Sequence, residues 1–433
     1  MTRLARFAVV VALLASAGCS DDSAGSGPIA ANSGFDIEHS SLKFRNFGGF
    51  VKSAVFDRKS AHRMFGDKAC QKMSDNRCVL KPSVKIMVAR INKAARGGRC
   101  EGFAVVAGLY HTKRLDFSQL GIDQPLYELD RSALPVLDRE LMYWYATQFA
   151  APVKRATARF SATEAVARLG ASFRAKDGES FRIGMMKLDA KGRRSGGHAV
   201  MPYATRRVSG SSWEIVVYDS NHPGERRAIT VDVNEDTWQY NASSNPNEEE
   251  SVYNGGPGKK NRLYLIPNSS RLGTLPCPGC GNSQDTTVLA DGRARFTVVN
   301  SKGEKTRSDQ DDGDKIPGST SSPAFTQSLW SDDAPVSIDI PAAGGLSIVA
   351  EPAPDAGDGD GESIDLALLM PDGGFAAATA MVTKGAQTLK VSDNGSVAFE
   401  SEDGSAATVS VGTVGDDGET HMVSVKVDGG ADK

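Results

Sequence analysis

Apolar positions along this chain change period several times, and each change marks an element. Phe7 to Ala17 is almost wholly apolar after Met-Thr-Arg-Leu-Ala-Arg, too short a run to remain as a membrane span. Residues 35 to 80 show no regular period, although Phe35, Phe44, Phe47 and Phe50 suit an arm that packs onto a larger body. From Ser83 to Arg96, Val84, Met87, Val88 and Ile91 recur at helical spacing, with Pro82 where a first turn tolerates it. Gly97-Gly98 then breaks the chain. The next helix starts near Cys100, and its Ala104, Ala107 and Gly108 let it run close beside other elements. Val136 to Ala151 predicts a third helix, opened by Pro135 and closed by Pro152, and Ala162 to Ala171 a fourth.

After these helices the alternation becomes strand-like over Ser180–Leu188, His198–Val208 and Trp213–Asp219. Ser209-Gly210-Ser211-Ser212 reads as the turn of a hairpin joining the last two. With the turn there, His198 and Asp219 sit across from each other and point to one face; a slip of one residue would separate them. Asn254 to Gly258 reads as a loop and Arg262 to Ile266 as a further strand. Beyond Cys280 come short β-runs at 294–299, 336–340, 346–350, 364–369, 388–391, 406–411 and 421–427, separated by Gly, Asp and Ser. That spacing predicts a β-sandwich. The fold class is therefore α+β: helices and then an antiparallel sheet over residues 35–284, followed by an all-β sandwich-like domain over 285–433.

Cysteines and charge add a compartment. Ser16-Ala17-Gly18-Cys19 resembles a bacterial lipobox, with Ser16 in place of the usual leucine. Cleavage there would leave Cys19 as a lipid-bearing N-terminus; a plain secretory cleavage nearby is the alternative. Residues 1–19 are then the signal, and 20–34, rich in Ser, Asp, Gly, Ala and Asn, a flexible tether. This predicts a chain exported to the bacterial envelope, periplasmic or surface-facing, that meets the membrane through Cys19. The other close pairs, Cys70 with Cys78 and Cys277 with Cys280, suit disulfides in an oxidising compartment. A zinc site would want two pairs of finger-like spacing, which the first pair does not offer, and Asp309, Asp311, Asp312 and Asp314 miss the calcium-loop pattern. No metal or other cofactor is expected. Residues 43 to 114 hold 17 Lys or Arg against 4 Asp or Glu, read as a solvated face, with a face toward anionic lipid headgroups or an acidic wall polymer as the alternative. Nothing resembles a nucleic-acid module.

The candidate chemistry lies in residues 100–221. A thiol at a helix start is a nucleophile when an imidazole can take its proton and a third group orients the ring. Cys100, His198 and Asp219 fill those roles, with Asn221 the reserve orienter. Glu101 falls in the first helical turn, where a carboxylate is favoured, and reads as structural.

With those residues in place, the stretch from about 83 to 281 resembles a largely uncharacterised family of exported bacterial proteins with a papain-like cysteine-peptidase core. The resemblance rests on Gly-Gly-Arg-Cys-Glu-Gly-Phe (97–103), Trp-Tyr-Ala-Thr-Gln (144–148), Gly-Gly-His-Ala-Val-Met-Pro-Tyr (196–203), Val-Tyr-Asp-Ser-Asn-His-Pro-Gly-Glu-Arg (217–226), Thr-Trp-Gln-Tyr (237–240) and Cys-Pro-Gly-Cys. It implies a cysteine–histidine–aspartate site and names no substrate. The glutamine that papain-like enzymes place a few residues before the cysteine is absent, since 94–96 read Ala-Ala-Arg. Asn92 or Gln148 would have to donate to the oxyanion instead. Two functions follow: an envelope-anchored thiol hydrolase acting on peptide or isopeptide bonds of a protein substrate, or an inactive papain-like fold kept for surface binding.

Overall fold

The computed structural model describes residues 28–131, 135–175, 178–188, 194–243, 249–258, 262–277, 280, 285–292, 294–307, 315–323, 336–341, 344–352, 361–371, 374–414 and 420–427. Cys19, the rest of the signal, the first part of the tether and the aspartates at 309–314 lie outside them. Among the described residues no helix is long and apolar enough to cross a membrane.

The chain is mixed α+β with antiparallel sheets. Its helices are α1 (Ile37–Ser40), α2 (Arg58–Phe65), α3 (Pro82–Ala94), α4 (Cys100–His111), α5 (Pro135–Ala146), α6 (Ala151–Ala156) and α7 (Ala162–Arg174). The strands of the first half are β1 (Ile29–Asn32), β2 (Cys70–Ser74), β3 (Arg77–Leu80), β4 (Ala158–Phe160), β5 (Phe181–Leu188), β6 (Arg194–Ser209) and β7 (Ser212–Tyr218), then β8 (Arg227–Asp232), β9 (Thr237–Ala242), β10 (Ser251–Gly255) and β11 (Leu263–Pro267). β2 and β3 form a separate hairpin. The others make one nine-stranded sheet in the order β10-β9-β8-β7-β6-β5-β11-β4, with β1 added on β6.

Several expectations change here. Residues 29–32, assigned to a flexible tether, are a strand paired with Ala204–Arg206. The stretch 35–80 is not irregular: it holds α1, α2 and the β2–β3 hairpin. Pro152 opens α6 rather than closing α5, because a short turn, Thr147–Phe149, intervenes. Asn254 and Gly255 belong to β10. Phe50 is 76% exposed and anchors nothing, whereas Phe44 and Phe47 meet the Phe103 ring edge-on at 5.5 and 6.0 Å. Leu42 and Phe56 are fully buried, so the arm is part of the core.

α4 lies inside the first half, buried from Glu101 to Leu109. Its small residues explain how. Ala104 and Ala107 pack against Met201, Tyr203 and Val216 of the sheet. Gly102 lies against the Leu141 carbonyl of α5, where a Cβ would collide. α7 starts at a capping box of Ser161 and Glu164 and covers the other sheet core with Val166 and Leu169. Disulfides join Cys70 to Cys78 and Cys277 to Cys280, which leaves no thiolates there for zinc.

Among the described residues the second half is a sandwich of twelve strands: β12 (Asp285–Asp291), β13 (Ala294–Asn300), β14 (Lys305–Arg307), β15 (Thr320–Pro323), β16 (Val336–Pro341), β17 (Leu346–Pro352), β18 (Glu362–Leu369), β19 (Gly374–Val382), β20 (Gln387–Val391), β21 (Val397–Ser401), β22 (Ala407–Val414) and β23 (Thr420–Val427). Seven are ordered β15-β16-β12-β18-β19-β22-β23 and five β14-β13-β17-β20-β21. One core, with Val298, Ile348, Leu366 and Ala378, fills the space between them. The halves touch where Ile86 of α3 packs on Ala367, Leu369 and Phe375.

Candidate active site

Cys100 is the first residue of α4, half-buried, and the free cysteine of the described chain. The turn before it depends on Gly98 at φ 125°, a conformation that L side chains rarely adopt. Arg99 then fixes the turn. Its backbone N–H donates to Asn46 Oδ1 at 2.7 Å, and its buried guanidinium donates to the carbonyls of Phe47, Gly49 and Ala54. The sulfur therefore sits at the positive end of a helix, where negative charge is favoured.

His198 comes from β6, opposite Met185 of β5, and its side chain is fully buried. Nε2 donates to Asp219 Oδ1 at 2.8 Å. Cys100 lies close enough to the same ring to act on its charge. Nε2 is committed to Asp219, and Nδ1 is buried with no hydrogen-bond partner among the described residues. Burial alone would lower the His198 pKa, but Asp219 and then Cys100 outweigh it and raise the ring from 6.5 to about 10.

Asp219 follows the end of β7 and has no exposed surface. Its Oδ1 accepts from His198 and from the Asn221 backbone N–H at 2.8 Å, and its Oδ2 accepts from the Tyr240 hydroxyl at 2.7 Å. Burial would raise this carboxyl; His198, Tyr240 and the Asn221 amide together hold it well below the usual carboxylate range. Conversely, burial and the Asp219 charge push Tyr240 well above an ordinary phenol, so it stays a donor.

Asn221 does not face the histidine. Its Nδ2 donates to the Ser243 carbonyl, and its Oδ1 accepts from Asn46 Nδ2, both at 3.0 Å. Asn46 also donates its backbone N–H to the Ser220 carbonyl at 2.8 Å. One buried arm residue thus ties the thiol turn to the aspartate turn. The two amides considered for an oxyanion are engaged elsewhere. Gln148 Nε2 donates to the Tyr145 carbonyl, and Asn92 makes both its bonds with the Phe56 backbone, all at 2.9 Å.

Glu101 is structural, and more so than its place in a first turn implied. It is 2% exposed and pairs with two fully buried arginines, Arg182 of β5 and Arg271. Arg271 also donates to Thr147 Oγ1 at 2.8 Å. Sequence reasoning assigned no role to Asn46, Tyr240, Arg182 or Arg271. Tyr240 closes the Thr-Trp-Gln-Tyr motif, which was the one available signal.

One His, Asp and Cys grouping lies among the described residues, at His62, Asp67 and Cys70. Cys70 is disulfide-bonded, so that sulfur is not a metal-binding thiolate. The described site brings together a thiol at a helix start, a buried imidazole and a buried carboxylate that holds the ring. No family model matches the chain, and no curated protein or solved structure matches it significantly.

Proposed function

We propose that this chain is a papain-like thiol hydrolase of the bacterial envelope, held to a membrane by a lipid on Cys19 and acting on peptide or isopeptide bonds of a protein substrate. The observation that carries the reading is the buried His198–Asp219 pair, its carboxylate bonded on both oxygens, with Cys100 at the start of α4 acting on the same ring. Cys100 Sγ adds to the carbonyl carbon of the scissile bond after its proton has passed to His198. His198 then gives that proton to the departing amine, leaving an acyl group on sulfur. Water, deprotonated by the same ring, attacks the thioester and frees the acid and Cys100. The first-turn amides of α4 lack intrahelical partners and supply donors for the oxyanion. The two disulfides agree with an exported, oxidising setting.

A second reading, an inactive papain-like fold used for surface binding, is favoured by one observation: Gln148 and Asn92 both spend their amides on backbone carbonyls. Incubating the full chain and its Cys100→Ala variant with a peptide library, with products read by mass spectrometry, decides between them. Cleavage or acyl transfer by the parent alone supports the hydrolase. No turnover by either, while Cys100 is alkylated readily, favours the binding fold.

A further inference from the structure

The two sheets of the sandwich are unequal, seven described strands against five. The small sheet ends at β21, which among the described residues pairs with β20 alone, while the large sheet continues through β22 to β23. Register fixes which side chains face the gap. Ala376 and Ala378 of β19 belong to the core between the sheets. Val411 and Val409 lie opposite them, and Val423 and Val425 lie opposite those two valines in turn. Directly opposed residues share a face, so these valines point toward the space beyond β21. Among the described residues nothing covers them: Val411, Val423, Val425 and Val427 are 36%, 64%, 56% and 38% exposed. The result is a step with an apolar floor and the open backbone edge of β21 as its wall.

The four valines expose roughly 300 Å², the size of patch that on a monomer is often functional. Two copies stacked floor to floor would bury only about 600 Å², half of the ~1,200 Å² a stable interface needs. One added strand fits the step better. Its backbone would take up the unpaired groups of β21, and every second side chain would land on the floor.

We propose that the sandwich is a strand acceptor: it binds an extended segment of another protein, with apolar and polar residues alternating, as a sixth strand of the small sheet beside β21. Backbone pairing provides the affinity and the valine floor selects β-branched or aliphatic side chains at alternate positions.

The full chain is titrated against a fluorescent peptide, Lys-Val-Thr-Val-Thr-Val-Thr-Lys, and binding is read by anisotropy. Two controls are a peptide of the same composition with its valines grouped and one with a central proline, which removes a ladder donor. Both controls should bind at least about tenfold more weakly. Val423→Glu and Val425→Glu change exposed positions, so each should leave the melting temperature unchanged and weaken the alternating peptide by at least about tenfold. Equal binding of all three peptides, or unchanged binding by both variants, overturns the proposal. So does a dimer in sedimentation that Val425→Glu dissolves, because the occupant is then a second copy.

Discussion

Replacing Asp219 with asparagine keeps the outline of the side chain and removes its charge. Burial pulls the His198 ring below its ordinary 6.5, and Asp219 is the main group that carries it the other way, to about 10. At pH 7.5 more than about 99% of the parent imidazole is then protonated. Without the carboxylate, burial is opposed by the thiol alone, and the ring should titrate below 6.5. Less than about 10% would then be protonated at pH 7.5. Stability follows the same linkage. The raised His198 contributes stability that is whole below 6.5 and is lost as pH rises through about 10. The depressed Asp219 contributes stability present above its ordinary 3.8 and lost as pH falls through its lower folded value. Asp219→Asn should therefore destabilise most between pH 3.8 and 6.5, by about 3–5 kcal/mol as for other broken buried pairs. The deficit should shrink toward pH 10. Nitrogen NMR of the imidazole, assigned with a His198 variant, reads the first effect, and urea unfolding at acid and alkaline pH reads the second. A ring that keeps its proton to pH 8 in Asp219→Asn, or that titrates near 6.5 in the parent, refutes the reasoning.

Tyr240→Phe removes one charge-assisted bond, worth about 1.5–3 kcal/mol, from Asp219 Oδ2. The Asp219 carboxyl should rise, so the midpoint of acid unfolding should move to higher pH, and Cys100 alkylation at neutral pH should slow less than in Asp219→Asn; an unmoved acid midpoint would show that the hydroxyl does not hold the carboxylate. Glu101→Gln leaves Arg182 and Arg271 buried without their counter-charge, and about 3–5 kcal/mol of stability should be lost; chemical denaturation within about 1 kcal/mol of the parent would contradict that account.

Much of this architecture was legible because burial imposes a period. The helices α3, α4 and α7 and the strands β5, β6 and β7 were all marked by their apolar positions. Elements whose residues prefer another structure were not. β19 reads Gly-Phe-Ala-Ala-Ala-Thr-Ala, and alanine is the best helix former. It is a strand because Ala376, Ala378 and Ala380 fit between two sheets. Nor does hydropathy mark a hydrogen-bond partner, so Asn46 and Arg271 carried no signal: each is a polar residue whose fixed partners lie far off in sequence.

The hairpin shows how a site can be legible while its geometry is not. The tight turn is Gly210-Ser211, because Ser209 pairs with Ser212, and Gly210 takes φ 44°. Without interruption that turn would bring position 223 opposite His198. Two register shifts, between Pro202 and Ala204 and between Arg207 and Ser209, each take up one residue of β6. From Met201 opposite Tyr218, continued pairing brings Asn221, not Asp219, across from His198. The ladder, however, ends at Tyr218, and Asp219 is the first residue of the turn that follows, so its side chain is placed by that turn rather than by strand alternation. From that turn its carboxylate reaches His198 at 2.8 Å. Asn221, in the same turn, gives its amide to Ser243 and Asn46 instead. The acid and base meet although the hairpin count that paired them is off by two, because a turn sets the aspartate, and the bulges that shifted the register leave no mark in the hydropathy pattern.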